Sequence, residues 1–182
     1  REKYPDGTML GVDALAASMG EGLLLYYAQM HKEAGMTIQE NAKWLEDNKL
    51  HLCHWFTVDD LNFLKRGGRV SGAAALFGTM LGIKPVLHVD NDDHLIPVEK
   101  VRGRKNARDA LGNHMEKAVE HPENQAIFIS HGNAPEDAEY VAKQVKARFS
   151  VPKVYINYIG PVIGSHAGPG TVALFFLGKS KD

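Results

Sequence analysis

Ala126-Ile127-Phe128-Ile129-Ser130, then Asn133 and Pro135-Glu136-Asp137, then Val154-Tyr155-Ile156-Asn157-Tyr158-Ile159 is the stretch that decides the fold class. Its two outer runs are short, apolar and rich in β-branched and aromatic residues, which reads as strand. Between them the sequence predicts a helix from Pro135 to about Phe149. Asn133 is placed to cap it, Pro135 sits where no N–H is needed, and Glu136 and Asp137 meet the positive end of the helix dipole. A strand, a helix and a strand in succession make this an α/β chain.

Working outward, Gly160 to Gly170 reads as a loop and Val172 to Leu177 as the last strand. Upstream, Arg104 to Glu120 is predicted helical. Pro85–Val89 and Leu95–Val101 flank the turn cluster Asn91-Asp92-Asp93, giving a β-hairpin whose second arm, carrying Pro97, is an edge strand or a bulge. Cys53 to Val58 is a strand. Asp59 or Asp60 caps a short helix through Leu61 and Leu64 that Gly67-Gly68 closes, and a second short helix fits Ser71 to Met80. Further upstream come a short strand, Met9 to Val12, and an amphipathic helix from about Gly22 to Ala34 ended by Gly35. Thr37 and Glu40 form a capping box that opens a helix to about Asn48. The expected fold is an incomplete Rossmann-like first domain over residues 1–52 and a complete α+β second domain over residues 53–182. The hairpin and the strands near 126, 154 and 172 are expected to share one mixed sheet.

The totals narrow the function. The chain has 182 residues and a formal net charge of −1, so bulk charge gives no pull toward nucleic acid or an anionic membrane. A single cysteine, Cys53, points to a reducing compartment, the cytoplasm. The most apolar stretch, Ala73 to Leu87, is too short for a membrane span and contains Lys84 and Pro85. No signal peptide is expected from the opening residues, and the polar run at Arg1 reads as the start of a chain cut from something longer, or processed.

Three motifs carry chemistry. In Gly160 to Thr171 an imidazole, His166, and a hydroxyl, Ser165, lie among four glycines and two prolines, a backbone that lets an anion come close; the alternative is a tight turn whose histidine bonds its own backbone. Gly67-Gly68-Arg69-Val70-Ser71 places a guanidinium beside a helix start, which suits a carboxylate or a phosphate, or is merely a helix corner with a solvated arginine. In Ser18-Met19-Gly20-Glu21-Gly22 the hydroxyl of Ser18 could cap the next helix or hold a headgroup. His51, Cys53 and His54 tempt a metal reading, but on a strand Cys53 points with His51 and away from His54, so no metal is assigned. No cofactor motif and no paired catalytic groups appear. Lys100, Arg102, Arg104, Lys105 and Arg108 make a basic cluster that is either a solvated face or a dock for an acidic partner. Ala73 to Ile83 is apolar and follows the Arg69 motif directly, the pairing a fatty acid needs, although buried core is the better default.

These residues resemble a known family. Leu61 to Ser71, followed by Gly82-Ile83-Lys84-Pro85-Val86-Leu87, is similar to the central signature of the DegV family. Ile163 to Gly170 is similar to its C-terminal signature, and Val12-Asp13 through Gly22 to its middle motif. The resemblance implies a two-domain, non-enzymatic protein that binds a long-chain fatty acid such as palmitate or stearate between its domains. It also implies a FakB-like subunit that holds the acid while a fatty acid kinase phosphorylates the carboxylate. On that reading Ser18, Arg69 and His166 form the carboxylate site, with Ser165 and Gly20 beside them, and the stretch after Ser71 adds to the tail channel. The alternative is an enzyme acting on a phosphorylated or carboxylated metabolite with His166 as general base. This chain departs from the family in having Ala14 after the aspartate, and in lacking an upstream segment whose Ser-Gly-Thr loop also grips the carboxylate. Without that segment the dense apolar residues Leu23, Leu24, Leu25, Tyr26, Tyr27 and Met30 are expected to drive self-association of the truncated chain.

Overall fold

The computed structural model describes residues 7–70 and 82–181. Local chemistry sets the first elements. Helix α1 (Met19–Glu33) ends at Gly35, whose φ of 88° allows a Schellman closure: Gly35 N–H donates to Lys32 and Met36 N–H to His31. Helix α2 (Ile38–Asn48) opens on the expected capping box, with the Glu40 amide donating to Thr37 Oγ1 and the Thr37 amide donating to Glu40 Oε2. It leans on α1 through Trp44, whose ring lies 5.3 Å from that of Tyr27.

The sheet has six strands: β1 (Leu52–Thr57), β2 (Ile83–Val89), β3 (Leu95–Arg102), β4 (Ala126–His131), β5 (Lys153–Tyr158) and β6 (Val172–Leu177). Their order is β3-β2-β1-β6-β4-β5, antiparallel throughout except for the β4–β5 pair. Helices α3 (Leu61–Arg66), α4 (Arg104–Ala118), α5 (Pro135–Arg148) and α6 (Pro161–Ala167) complete the described elements. The result is a mixed α/β fold in which the hairpin and the last three strands share one sheet, as the alternation of the sequence requires.

Period-two alternation gives the sheet two apolar faces. On one, Cys53, Ile127, Ile129, Leu174 and Phe176 pack against Leu111 and Met115 of α4 and Val141 and Val145 of α5. On the other, Phe56, Phe128 and Phe175 meet Leu23 and Leu24 of α1, and a cavity opens there. The central strands are buried on both faces, so every position of β4 is buried. The hairpin shows how Pro97 is accommodated. Val86 pairs with Glu99 but Leu87 pairs with Pro97, leaving Val98 as the extra residue of a bulge on an edge strand.

Three local expectations fail. Met9 to Val12 is not a strand: no described strand pairs with it, and Met9 and Leu10 are exposed. Gly160 to Gly170 is not all loop, because α6 occupies Pro161–Ala167 with Pro161 in its first turn and Gly168, φ 80°, just beyond its end. Asn133 does not cap α5; it adopts a left-handed φ of 50°, and the amide of Ala134 donates to His131 Nδ1 instead. The helix expected from Ser71 to Met80 lies outside the described residues.

Candidate functional site

The site begins where β1 runs out. Asp60 accepts from the amide of Asn62 and starts α3. At the other end Gly68, φ 72°, closes a second Schellman turn: its amide donates to Lys65 and that of Arg69 to Leu64. The Gly67-Gly68 pair therefore divides two tasks. Gly68 turns the chain, whereas Gly67 keeps a right-handed helical conformation that any residue could adopt. What Gly67 supplies is room. A Cβ there would lie 2.3 Å from Nδ1 of His166, so the imidazole rests directly on the backbone of α3. The contact is reciprocated at Gly168, where a Cβ would meet the ring of Phe63 at 2.6 Å. The two glycine-bearing signatures thus pack face to face, and that packing holds His166.

Behind them an ion-pair lattice fixes the loop before β6. Arg104 Nε donates to Asp137 at 2.6 Å, its Nη2 donates to the carbonyl of Gly170, and its Nη1 lies 3.4 Å from Asp59. Arg108 donates to Asp137 at 2.6 Å and lies over the ring of Tyr140. Lys105 pairs with Asp109. Arg104 and Arg108 are thus used inside the molecule, whereas Lys105 makes its pair on the exposed surface.

Ser18, Arg69 and His166 line one cavity of about 320 Å³. Its walls are apolar, with Phe56, Leu64, Val89, Leu95 and Ile163 prominent among them. Ser18 precedes α1 but makes no capping bond. Its backbone is held at φ 56°, ψ −134°, and its hydroxyl donates to Ser130 Oγ at 3.1 Å. Strained backbone of that kind is held in place only by its surroundings and gathers at sites of function. Ser165 is turned away: it is exposed, and its hydroxyl donates to the carbonyl of Val162 within α6. Gly20 does not line the cavity but is buried against His54, where a Cβ would lie 2.5 Å from Nε2. The apolar residues from 71 to 81 lie outside the described residues.

Of the polar residues that line the cavity, Ser130, His54 and Asp93 escaped the sequence reading as site residues. Ser130 is fully buried near the end of β4; a lone hydroxyl closing an apolar strand was the available signal. His54 is 3% exposed and lines the cavity, on the opposite face of β1 from Cys53. Burial pushes its pKa down to about 3, with Lys181 and His88 adding to the effect, so the ring is neutral. The Cys53 thiol, pushed up to about 12 by burial, donates to the carbonyl of Ser180. Among the described residues no group of three or more His, Cys, Asp or Glu side chains is placed to hold a metal ion, and no helix is long and apolar enough to cross a membrane.

The family described as "Uncharacterised protein, DegV family" matches residues 1–179. A DegV domain-containing protein of Clostridium perfringens is 48% identical over 181 residues, and the chain spans 62% of its length. Among solved structures, a Thermotoga maritima protein described as revealing a fatty acid binding function is 30% identical with a TM-score of 0.80, covering 97% of this chain and 61% of that one. A DegV family protein of Ruminococcus gnavus, refined with vaccenic acid, is 26% identical with a TM-score of 0.86, covering 96% and 62%.

Proposed function

The chain belongs to the DegV family, and from that premise we propose that it forms the larger part of a carrier for one long-chain fatty acid. In this reading the carrier holds the acid and presents its carboxylate to a partner fatty acid kinase in the cytoplasm, without transforming it. The observation that carries the reading is the cavity itself, where Ser18, Arg69 and His166 meet at an apolar enclosure. A guanidinium, an imidazole and a hydroxyl suit a carboxylate. Walls of leucine, valine, isoleucine and phenylalanine suit a methylene chain.

Burying about 14 to 16 methylenes at roughly 0.8 kcal/mol each gives ample gross driving force. The tail therefore sets affinity, and the headgroup residues set orientation and preference for an acid over an alcohol. A cavity of about 320 Å³ is at the small end for an organic ligand. We assign the rest of the tail channel and headgroup site to the apolar residues after Ser71 and to the part of the relatives' length that this chain does not span. The residues before Leu52 belong, on this proposal, to a first domain which that part completes.

Two relatives support the ligand class: the Thermotoga maritima protein is described by fatty acid binding, and the Ruminococcus gnavus protein was refined with vaccenic acid. The test is an unbiased lipid extract and a native mass spectrum of the purified protein. Bound C16 to C18 acids, lost in Ser18→Ala and His166→Ala, are the expected result. A protein that is consistently empty, or that turns over a metabolite without a partner, would overturn the proposal.

A further inference from the structure

His54 is the odd member of the cavity wall. It shares a row across the sheet with Phe175, its cross-strand partner, and Phe128, and its ring meets that of Phe175 edge to face at 5.5 Å. If this position only had to fill space, phenylalanine would do so at no polar cost. Instead both ring nitrogens are buried, and neither has a hydrogen-bond partner among the described residues. An unpaired polar group in an apolar interior opposes folding and calls for an explanation. Gly20 adds to the picture, since any side chain there would lie against the Nε2 edge of the ring.

The chemistry of the partner follows from the state of the ring. A neutral imidazole offers one N–H donor and one lone pair. An alcohol can serve whichever nitrogen it reaches, accepting from the N–H or donating to the lone pair, whereas a carboxylate only accepts. The ring lies one row away from Ser130, whose own row holds Ala173 and Phe56, and rows on one face of a sheet are separated by two residues, roughly 6.6 Å. A group contacting His54 is thus several bonds along the chain from a headgroup held at Ser18. We propose, resting on the fatty-acid reading above, that His54 is a specificity-determining contact that hydrogen-bonds a hydroxyl carried on the bound acyl chain, so that the site takes oxygenated long-chain acids in preference to plain ones.

The experiment is competition binding to the intact protein, comparing palmitic acid with hydroxypalmitic acids whose hydroxyl is stepped along the chain. In the wild type one or two neighbouring positional isomers are expected to bind about tenfold more tightly than palmitic acid, the effect of one well-made hydrogen bond. His54→Phe should abolish that preference, so that every isomer binds no better than palmitic acid measured in the same variant, and His54→Gln, which keeps a donor and an acceptor, should restore part of it. The proposal is overturned if no isomer outperforms palmitic acid in the wild type, a result that needs no variant to fold. A preference that survives in His54→Phe overturns it equally. Palmitic acid binding without a positional preference removes only the role of His54. Failure of palmitic acid itself to bind removes the carrier reading as well.

Discussion

Replacing Gly67 with alanine tests whether the contact between the two signatures positions His166. The backbone of Gly67 is right-handed helical, so alanine fits its conformation and slightly favours the helix. Among the described residues the nearest obstacle is the imidazole, 2.3 Å from the new Cβ where ordinary contact begins near 3.4 Å. The ring must therefore retreat by about 1 Å, and it can, because it is half-buried and attached through two rotatable bonds. The stability cost should stay below about 1 kcal/mol, less than in overpacked rigid cores. The cost to binding should be larger, about 1 to 2 kcal/mol or roughly 5- to 30-fold in affinity, because a displaced donor to a carboxylate loses a charge-assisted hydrogen bond. The assay is a double-mutant cycle on fatty acid affinity with Gly67→Ala and His166→Ala. If Gly67 acts through His166, the alanine at 67 is nearly silent once His166 is gone. Equal losses in both backgrounds would refute the argument and mark Gly67 as a backbone requirement of its own.

Three other outcomes follow from the same geometry. Ser18→Gly should relieve a conformation that side chains rarely adopt, raising Tm by about 2 to 4 °C while weakening acid binding, which thermal melts with and without palmitate would show. Folded His54 has a pKa near 3, whereas the unfolded chain protonates it near 6.5, so the unfolded state holds the extra proton between those values. Stability should fall as pH drops through that window, by about 2 kcal/mol from pH 7 to pH 5 on account of this residue, and urea titrations of His54→Phe should lack that component. Cys53, with its thiol pushed up to about 12, should resist thiol reagents at pH 8 until denaturant is added; rapid labelling of the native protein would contradict its burial.

What the sequence disclosed was mostly what nearest neighbours decide. The capping box at Thr37 and Glu40, the stop at Gly35 and the edge strand or bulge expected from Pro97 rest on chemistry within a few residues, and all three appear as read. Helix α6 was hidden because its flanking prolines and glycines look like breakers in a loop, although Pro161 and Gly168 are also the punctuation of a short helix. Met9 to Val12 carries a strand-like pattern, but pattern alone cannot supply a pairing strand. The cavity positions of Ser130 and His54 were hidden for a different reason, although His54 drew notice in a metal reading that was set aside. Each is one polar residue in a strand, and only the register of β1 against β6 and of β6 against β4 brings them to the same cavity as Ser18. Gly67 looked like half of a helix stop, and only the arrival of His166 from far along the chain distinguishes it from Gly68.

The bulge in β3 has a consequence for how the sheet meets the outside. That strand lies at one rim, where its unpaired backbone groups would template a strand from another molecule. Pro97 removes a donor there, Val98 breaks the register, and Lys100 and Arg102 add charge, so this rim is blunted on three counts. The opposite rim among the described strands, β5, has fewer devices: Lys153 puts one charge at its start, but Lys153 to Tyr158 runs without proline or bulge, and Tyr158 is 63% exposed. The fold is therefore polarised toward strand addition. A strand from another molecule would meet fewer obstacles beside Tyr155 than beside Pro97.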